Sequence, residues 1–499
     1  MIFLKKFWPF IILAVLSLTI HFTFLSHPAQ VVFDEVHFGK FVSAYFTGRY
    51  YFDIHPPLGK LMIAGFAKLS GVQPVFGFDH IGETTNAKML FVLRFMPAFF
   101  GGLFILAAAW LAYLISHSKI AALIVGILFL LDNAFLVQSK FILVDIFMLF
   151  FEVLTFCFFF LYQRQKTYSA KWFFYLFFTA ISFGLAISIK WTGLATIGII
   201  GIILLAKIFS KKLNNYLSAR VSDQSEQVLS EGRRRRQGLA WVPENEGLTR
   251  TDVIKRLKEA IFSFIVLLII GFLIYTLPFA IHFKLLPYSG QGDAFMSQAF
   301  QQELKMGSSN LERPLTFLQK FIELNKKMYF YNSTIKGDHP YGSRWYGWPF
   351  DHKPIYYWNQ DNIGPGNWQA KIYFFGNPLL WWLGSSFVIL TLAAILSKKI
   401  NRQIKPLCYL LILGYLANWL PFIIIKRVSF LYHYLPSALF ATLLVGIWLT
   451  RLWPKEKKIF IAVLVMIAIS FAAFVPVSYG IPLPPALENI QMQLINFLG

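Results

Sequence analysis

Apolar residues along this chain do not alternate with polar ones at every second position. They come in runs of about twenty, separated by short polar breaks. An α-helix of about twenty residues crosses the hydrocarbon core of a bilayer. Inside lipid the backbone must satisfy its own hydrogen bonds, so runs of this length predict helices, and the missing alternation excludes a membrane barrel. The pattern predicts eleven spans, at 7–25, 92–115, 119–137, 141–162, 172–189, 192–209, 260–282, 379–397, 405–425, 431–450 and 459–477. No internal repeat is visible. The start of the chain, with Lys5 and Lys6 ahead of an apolar stretch, imitates a signal peptide. The stretch 7–24 is longer than a usual signal core and lacks an obvious small-residue cleavage site, so it is read as a retained first helix.

Composition agrees with the pattern. Of 499 residues, 57% are hydrophobic and 14% charged, against about 25% charged in soluble domains. The net charge of +22 does not point to nucleic acid, because the basic residues sit mainly in alternate short loops. With the N-terminus inside, the cytoplasmic connections are 116–118, 163–171, 210–259, 398–404 and 451–458. They carry Arg164 with Lys166, Arg233 to Arg236, Lys398 with Lys399, and Lys455 with Lys457 and Lys458. This is the positive-inside asymmetry, and it places the C-terminus outside. Cys157 and Cys408 both lie in apolar runs and read as small core residues without a disulfide. The 210–259 segment, with SDQSEQ and EGRRRRQG, is charge-rich and suits partial disorder or contact with lipid headgroups.

Two long connections fall outside, 26–91 and 283–378. The second is aromatic and polar, with HPYGSRWYGWPF at 339–350 and WNQDNIGPGNW at 358–368, and its prolines and glycines argue against a long helix. The first holds adjacent carboxylates, Asp34 and Glu35, and then HPPLGK at 55–60. Two prolines ahead of an apolar run mark a helix start. With His55 before it and Lys60 in its first turn, that start suits an anion.

Further charges interrupt the outer ends of separate spans: Arg94, Lys140, Asp145, Lys190, Lys426 and Arg427, followed by His433. A single one would be a snorkelling anchor. Several together fit a shared anionic ligand, and Asp145 calls for a cationic partner. A carboxylate beside cations at the bilayer surface suits a lipid-phosphate-linked donor. Its phosphate would sit among the cations and its tail in the bilayer. A carboxylate would deprotonate an acceptor hydroxyl, and the departing phosphate would need charge stabilisation rather than an acid. No Walker or Rossmann motif is present. The DEVH stretch with His55 matches no strong zinc pattern, so no metal is assigned.

The same residues carry a resemblance. FDEVHFGKF at 33–41, FDIHPPLGKL at 52–61, LRFMPAFFGG at 93–102, KFILVDIFMLFF at 140–151, IKWTGL at 189–194, HPYGSRWYGWPF at 339–350, GNPLLWW at 376–382 and FLYHYLP at 430–436 run in order over nearly the whole chain. The chain resembles the protein O-mannosyltransferases that use polyprenyl or dolichyl phosphate mannose. The resemblance implies an all-α polytopic membrane protein of GT-C architecture. It also implies transfer of mannose, with inversion, to Ser or Thr hydroxyls of secreted or membrane proteins on the extracytoplasmic face of the cell membrane. Asp34 would be the catalytic base, and Glu35 would hold the acceptor or organise the site. His55, Lys60, Arg94, Asp145 and Arg427 would belong to the donor-phosphate environment, with Arg344 and His433 in support. The lipid-linked sugar is then the substrate, with no tightly bound cofactor, and a dimer remains compatible. Eukaryotic members insert a β-trefoil MIR domain in the second outer loop; 283–378 is too short for one, so the likeness is to the bacterial or archaeal form.

The implied organisation is an N-terminal catalytic module (1–209), a cytoplasmic charged loop (210–259) and a C-terminal module (260–499). Two other readings compete. A transferase of the same architecture could move another sugar, such as aminoarabinose, from a lipid phosphate to a lipid or glycan. A transporter or flippase would instead place its charges near the midplane of paired repeats.

Overall fold

The computed structural model describes residues 2–219, 248–334, 337–401 and 404–498. The N-terminal half contains α1 (Ile2–Phe22), α2 (Glu35–Thr47), α3 (Leu58–Leu69), α4 (Ala87–Ser116), α5 (Lys119–Leu130), α6 (Asn133–Lys140), α7 (Asp145–Gln163), α8 (Ala170–Ile187), α9 (Leu194–Phe209) and α10 (Lys211–Ser218). Then follow α11 (Arg250–Leu285), α12 (Gln298–Met306), α13 (Phe317–Thr334), a hairpin of β1 (Ile355–Ile363) and β2 (Trp368–Phe374), α14 (Pro378–Leu396), α15 (Lys405–Trp419), α16 (Leu435–Leu452), α17 (Lys457–Tyr479) and α18 (Pro485–Leu498).

Among the described residues nine helices are long and apolar enough to cross a membrane, or ten with the bent α5–α6 pair. The protein is a multi-span membrane protein built mostly of helices. The predicted spans all fall on helices, with three differences. The run at 119–137 is two helices meeting at 64°. Asp132 interrupts it: its carboxylate accepts from Ala134 N and Phe135 N and so starts a new helix. Trp381 Nε1 and the carbonyl-binding Asn377 Nδ2 hold that break at 2.7 Å and 2.8 Å. The apolar part of the first helix, Trp8–Phe22, falls short of a full spanning length. The span predicted at 260–282 begins earlier, at Arg250, where Thr249 and Asp252 form a capping box.

The helices close on one another through small residues. A Cβ at Gly101 would stand 2.5 Å from His21 Cδ2, and one at Gly126 would stand 2.4 Å from a Leu13 methyl, so α1 lies tight against α4 and α5. α7 packs on α4 and α8, and α11 packs on α8. In the second long connection, β1 and β2 pair antiparallel, Ile355 opposite Phe374 and Ile363 opposite Trp368. The prolines and glycines at 339–368 do exclude a long helix from their own stretch, but α13, of 18 residues, forms ahead of them in the same connection, against the expectation for the connection as a whole. Aromatic and β-branched residues flanking the turn at Gly364 make the hairpin. Arg233 to Arg236, SDQSEQ and most of 210–259 lie outside the described residues.

Candidate active site

The first outer connection folds back onto the helix ends. Glu35 opens α2 and is fully buried. It accepts from Arg94 Nε and Nη2, both at 2.8 Å, from Val32 N at 2.9 Å and from Ile142 N at 3.0 Å. The other Arg94 donors go to the carbonyls of Pro28 and Gln30, each at 2.9 Å. Glu35 therefore ties α4, the loop before α2 and the turn before α7 into one body. A carboxylate so occupied cannot touch a reactant, which corrects its placement as catalytic and leaves the organising role. The same geometry removes Arg94 from any phosphate: its guanidinium is buried and spent on protein groups.

Asp34 stands one residue earlier, half-buried, at the N-cap of α2, without a capping hydrogen bond from its side chain. Burial pushes its carboxyl up from 3.8 to about 6; His37 and Lys190 pull it back, while Asp145 and Asp53 raise it. A base near this value is ionised at neutral pH and still able to take a proton.

The proline pair starts α3 as expected, with Pro57 at its N-cap. Leu58 N donates to Ser188 O at 3.1 Å, and a Cβ on Gly59 would come within 2.9 Å of Val144, so this start is wedged between the turns before α7 and α9. Lys60 is buried, ion-paired with Asp53, and donates to His55 O at 2.9 Å. It does not face the cavity, another departure from the expectation. His55 does. Burial and the cations Lys190, Lys60 and Arg427 hold its imidazole well below its usual range, hence neutral.

A cavity of about 770 Å³ runs from His55 and Lys190 along α7, α9 and the end of α15. Its length is apolar, through Met148, Leu149, Ala195, Phe422 and Ile425. Its head gathers Asp145, Lys190, Arg427 and His433, and the exposed Lys426 also lines the cavity. Asp145 accepts from Lys190 Nζ at 2.6 Å and from Gln138 Nε2 at 2.9 Å, the cationic pairing that its position called for. Gln138 in turn accepts from Tyr357 OH at 2.7 Å, and Tyr357 stacks on Phe33 at 4.0 Å. This contact chain leads from the cavity head to the neighbour of Asp34. Arg427 Nη2 donates to His433 Nε2 at 3.1 Å, and His433 Nδ1 lies against the backbone of Phe430, 3.0 Å from its O and 3.1 Å from its N.

Of the residues singled out in the sequence, His55, Asp145, Lys190, Arg427 and His433 meet at this head. Lys60 and Arg94 lie behind it. Arg344 is exposed and not part of the cavity wall. Lys140 is buried, donating to the carbonyls of His21 and Thr23. The sequence pattern does not single out Asp53, Gln138, Tyr357 or Tyr432, whose ring lines the cavity with Lys190 Nζ over it at 5.2 Å. Asp53 and Gln138 sat beside residues that were noticed, and the aromatics were lost among 22 tyrosines. Among the described residues no three His, Cys, Asp or Glu side chains stand together as a metal site.

The family model described as dolichyl-phosphate-mannose-protein mannosyltransferase matches residues 11–287, and that of the C-terminal four-helix membrane region of protein O-mannosyltransferase matches 317–496. Dolichyl-phosphate-mannose–protein mannosyltransferase 4 of Candida albicans is 31% identical over 329 residues, 65% of this chain and 38% of that protein. Protein O-mannosyltransferase 1 of Drosophila melanogaster is 30% identical over 290 residues, 58% of this chain and 29% of that protein. The matched stretch is thus about a third of these relatives' length. The fold matches a chain of the Saccharomyces cerevisiae protein O-mannosyltransferase Pmt1-Pmt2 complex bound to the sugar donor, with a TM-score of 0.81 at 20% identity, over 99% of this chain and 92% of that one. That likeness identifies the fold as GT-C. With the first family model covering more than half of its length, the chain belongs to the dolichyl-phosphate-mannose–protein mannosyltransferase family.

Proposed function

We propose that this protein transfers mannose from polyprenyl or dolichyl phosphate mannose to Ser or Thr hydroxyls of secreted or membrane proteins, with Asp34 as general base. The observation that carries this reading is the cavity: apolar along its length, cationic at its head, and coupled there through Lys190 and Asp145 to the half-buried Asp34. An isoprenoid chain fits the apolar part, and a phosphate fits Lys190, Lys426 and Arg427. Asp34 takes the hydroxyl proton as the oxygen bonds to the anomeric carbon from the face opposite the phosphate. The carbon–oxygen bond to phosphate breaks, the configuration inverts, and the lipid phosphate leaves with its charge held by the cations. His55, neutral, offers a hydrogen bond at the same head.

The basic clusters of alternate loops support a cytoplasmic N-terminus and a site on the extracytoplasmic face of the cell membrane. Purified enzyme given radiolabelled polyprenyl phosphate mannose and a Ser/Thr peptide tests the reading. Label should appear on the peptide. Transfer to a lipid acceptor alone, or of another sugar only, would overturn it.

A further inference from the structure

Behind His55 lies a second polar system that the transfer chemistry leaves unused. Tyr51 OH donates to Tyr45 OH at 2.7 Å, and Tyr45 OH donates to His282 Nδ1 at 2.9 Å. His282 therefore carries its proton on Nε2, which is buried without a protein partner. Ahead of His282 is a void of about 10 Å³, lined by Asp53, His55, Lys60 and His282 among others. That is about the room one water occupies, and a water there has partners in His282 Nε2–H and the Asp53 carboxylate. Asp53, also on the wall of this void, pairs with Lys60, and Lys60 grips the carbonyl of His55. Four segments meet here: α2, the strand-like stretch before α3, α3 itself and the last turn of α11. Only His55 among these polar groups also lines the large cavity.

We propose that Asp53 and His282 are positioning residues for the lipid-phosphate donor, acting through His55. Lys60, held by Asp53, grips the carbonyl of His55, and His282, held by the Tyr51–Tyr45 pair, forms another wall of the void that His55 lines, so that the imidazole meets the phosphate-bearing head of the donor at a set angle. Lys60 is then a clamp on His55, and its charge is spent on Asp53. A neutral imidazole has no Coulomb attraction for phosphate and depends wholly on its orientation, which explains why so much buried polar structure stands behind one side chain.

The inference rests on the donor-site reading above, and a binding readout separates the two. A double-mutant cycle pairs Asp53→Asn with His55→Ala in the full-length protein. Two quantities are measured: retention of polyprenyl phosphate alone, and KM against kcat with the mannosylated donor. Each single variant should weaken lipid-phosphate binding and raise donor KM about tenfold, with a smaller change in kcat. The double variant should be no worse than His55→Ala, because Asp53 has nothing left to position. His282→Phe should behave like Asp53→Asn. Independent, multiplying effects in the cycle would overturn the proposal, as would Asp53→Asn binding polyprenyl phosphate like the parent. If Asp53→Asn does not yield folded protein, Asp53→Asn/Lys60→Met removes both charges and takes its place in the same cycle. A parent enzyme that retains polyprenyl phosphate but transfers no mannose would refute the proposed function, while the binding cycle would still decide the positioning role.

Discussion

Replacing Asp34 by asparagine removes one negative charge and keeps the shape of the side chain. Two effects follow, in opposite directions. The base is lost, and general base catalysis contributes about 10²- to 10⁴-fold, so turnover should fall by at least about two orders of magnitude while the donor is still retained. Stability should rise. The carboxyl stands at about 6 in the folded protein against an ordinary 3.8, so between those values the native state binds more protons than the unfolded chain. Stability then declines as pH rises through that window, and the full loss is present above about pH 6. At about 1.4 kcal/mol per pH unit, the rise amounts to about 3 kcal/mol at neutral pH. Asparagine has no charge to desolvate and escapes this loss. Thermal unfolding of parent and Asp34→Asn in the same detergent should show the variant more stable at pH 7.5, the gap narrowing as pH falls and closing below about 4. Peptide transfer at saturating donor supplies the other half. A variant that turns over like the parent would refute Asp34 as base. A variant inactive and less stable at pH 7.5 would instead show that Asp34 holds the fold, and the reasoning from burial would fail.

The pH profile of the parent follows from the same group: the base must be ionised, so kcat/KM should drop tenfold per pH unit below about 6, and Asp34→Glu should keep an acid limb at a shifted position. Arg94→Met should destabilise by about 3–5 kcal/mol, because it leaves Glu35 buried and unpaired; adding Glu35→Gln should recover part of that in the unfolding midpoint. Arg427→Ala should raise donor KM about tenfold or more and lose donor retention, with the fold intact by unfolding midpoint, since its guanidinium lines the open cavity. An unchanged KM would move the phosphate away from this arginine.

Membrane insertion, the positions of the spanning helices and the family are all legible in the sequence, because each depends on local properties. A run of about twenty apolar residues can only be a helix in lipid, and HPPLGK or FDEVHFGKF survives as a contiguous string. The break at Asp132 was also local, a polar cap in an apolar run, and could have been read. The division of labour among the charges was not. Asp34 and Glu35 are neighbours in sequence, yet Glu35 is buried onto Arg94 while Asp34 stays half-buried within electrostatic reach of Lys190 and Asp145. Lys60 and Lys190 look alike in the sequence as cations at helix ends, but Lys60 is consumed by Asp53 and only Lys190 lines the cavity. Whether a charged side chain serves a ligand or the fold depends on which partners arrive from distant segments, such as Tyr357 from the hairpin and His282 from α11. Those partners are set by packing across the whole bundle, and only the tertiary structure decides them.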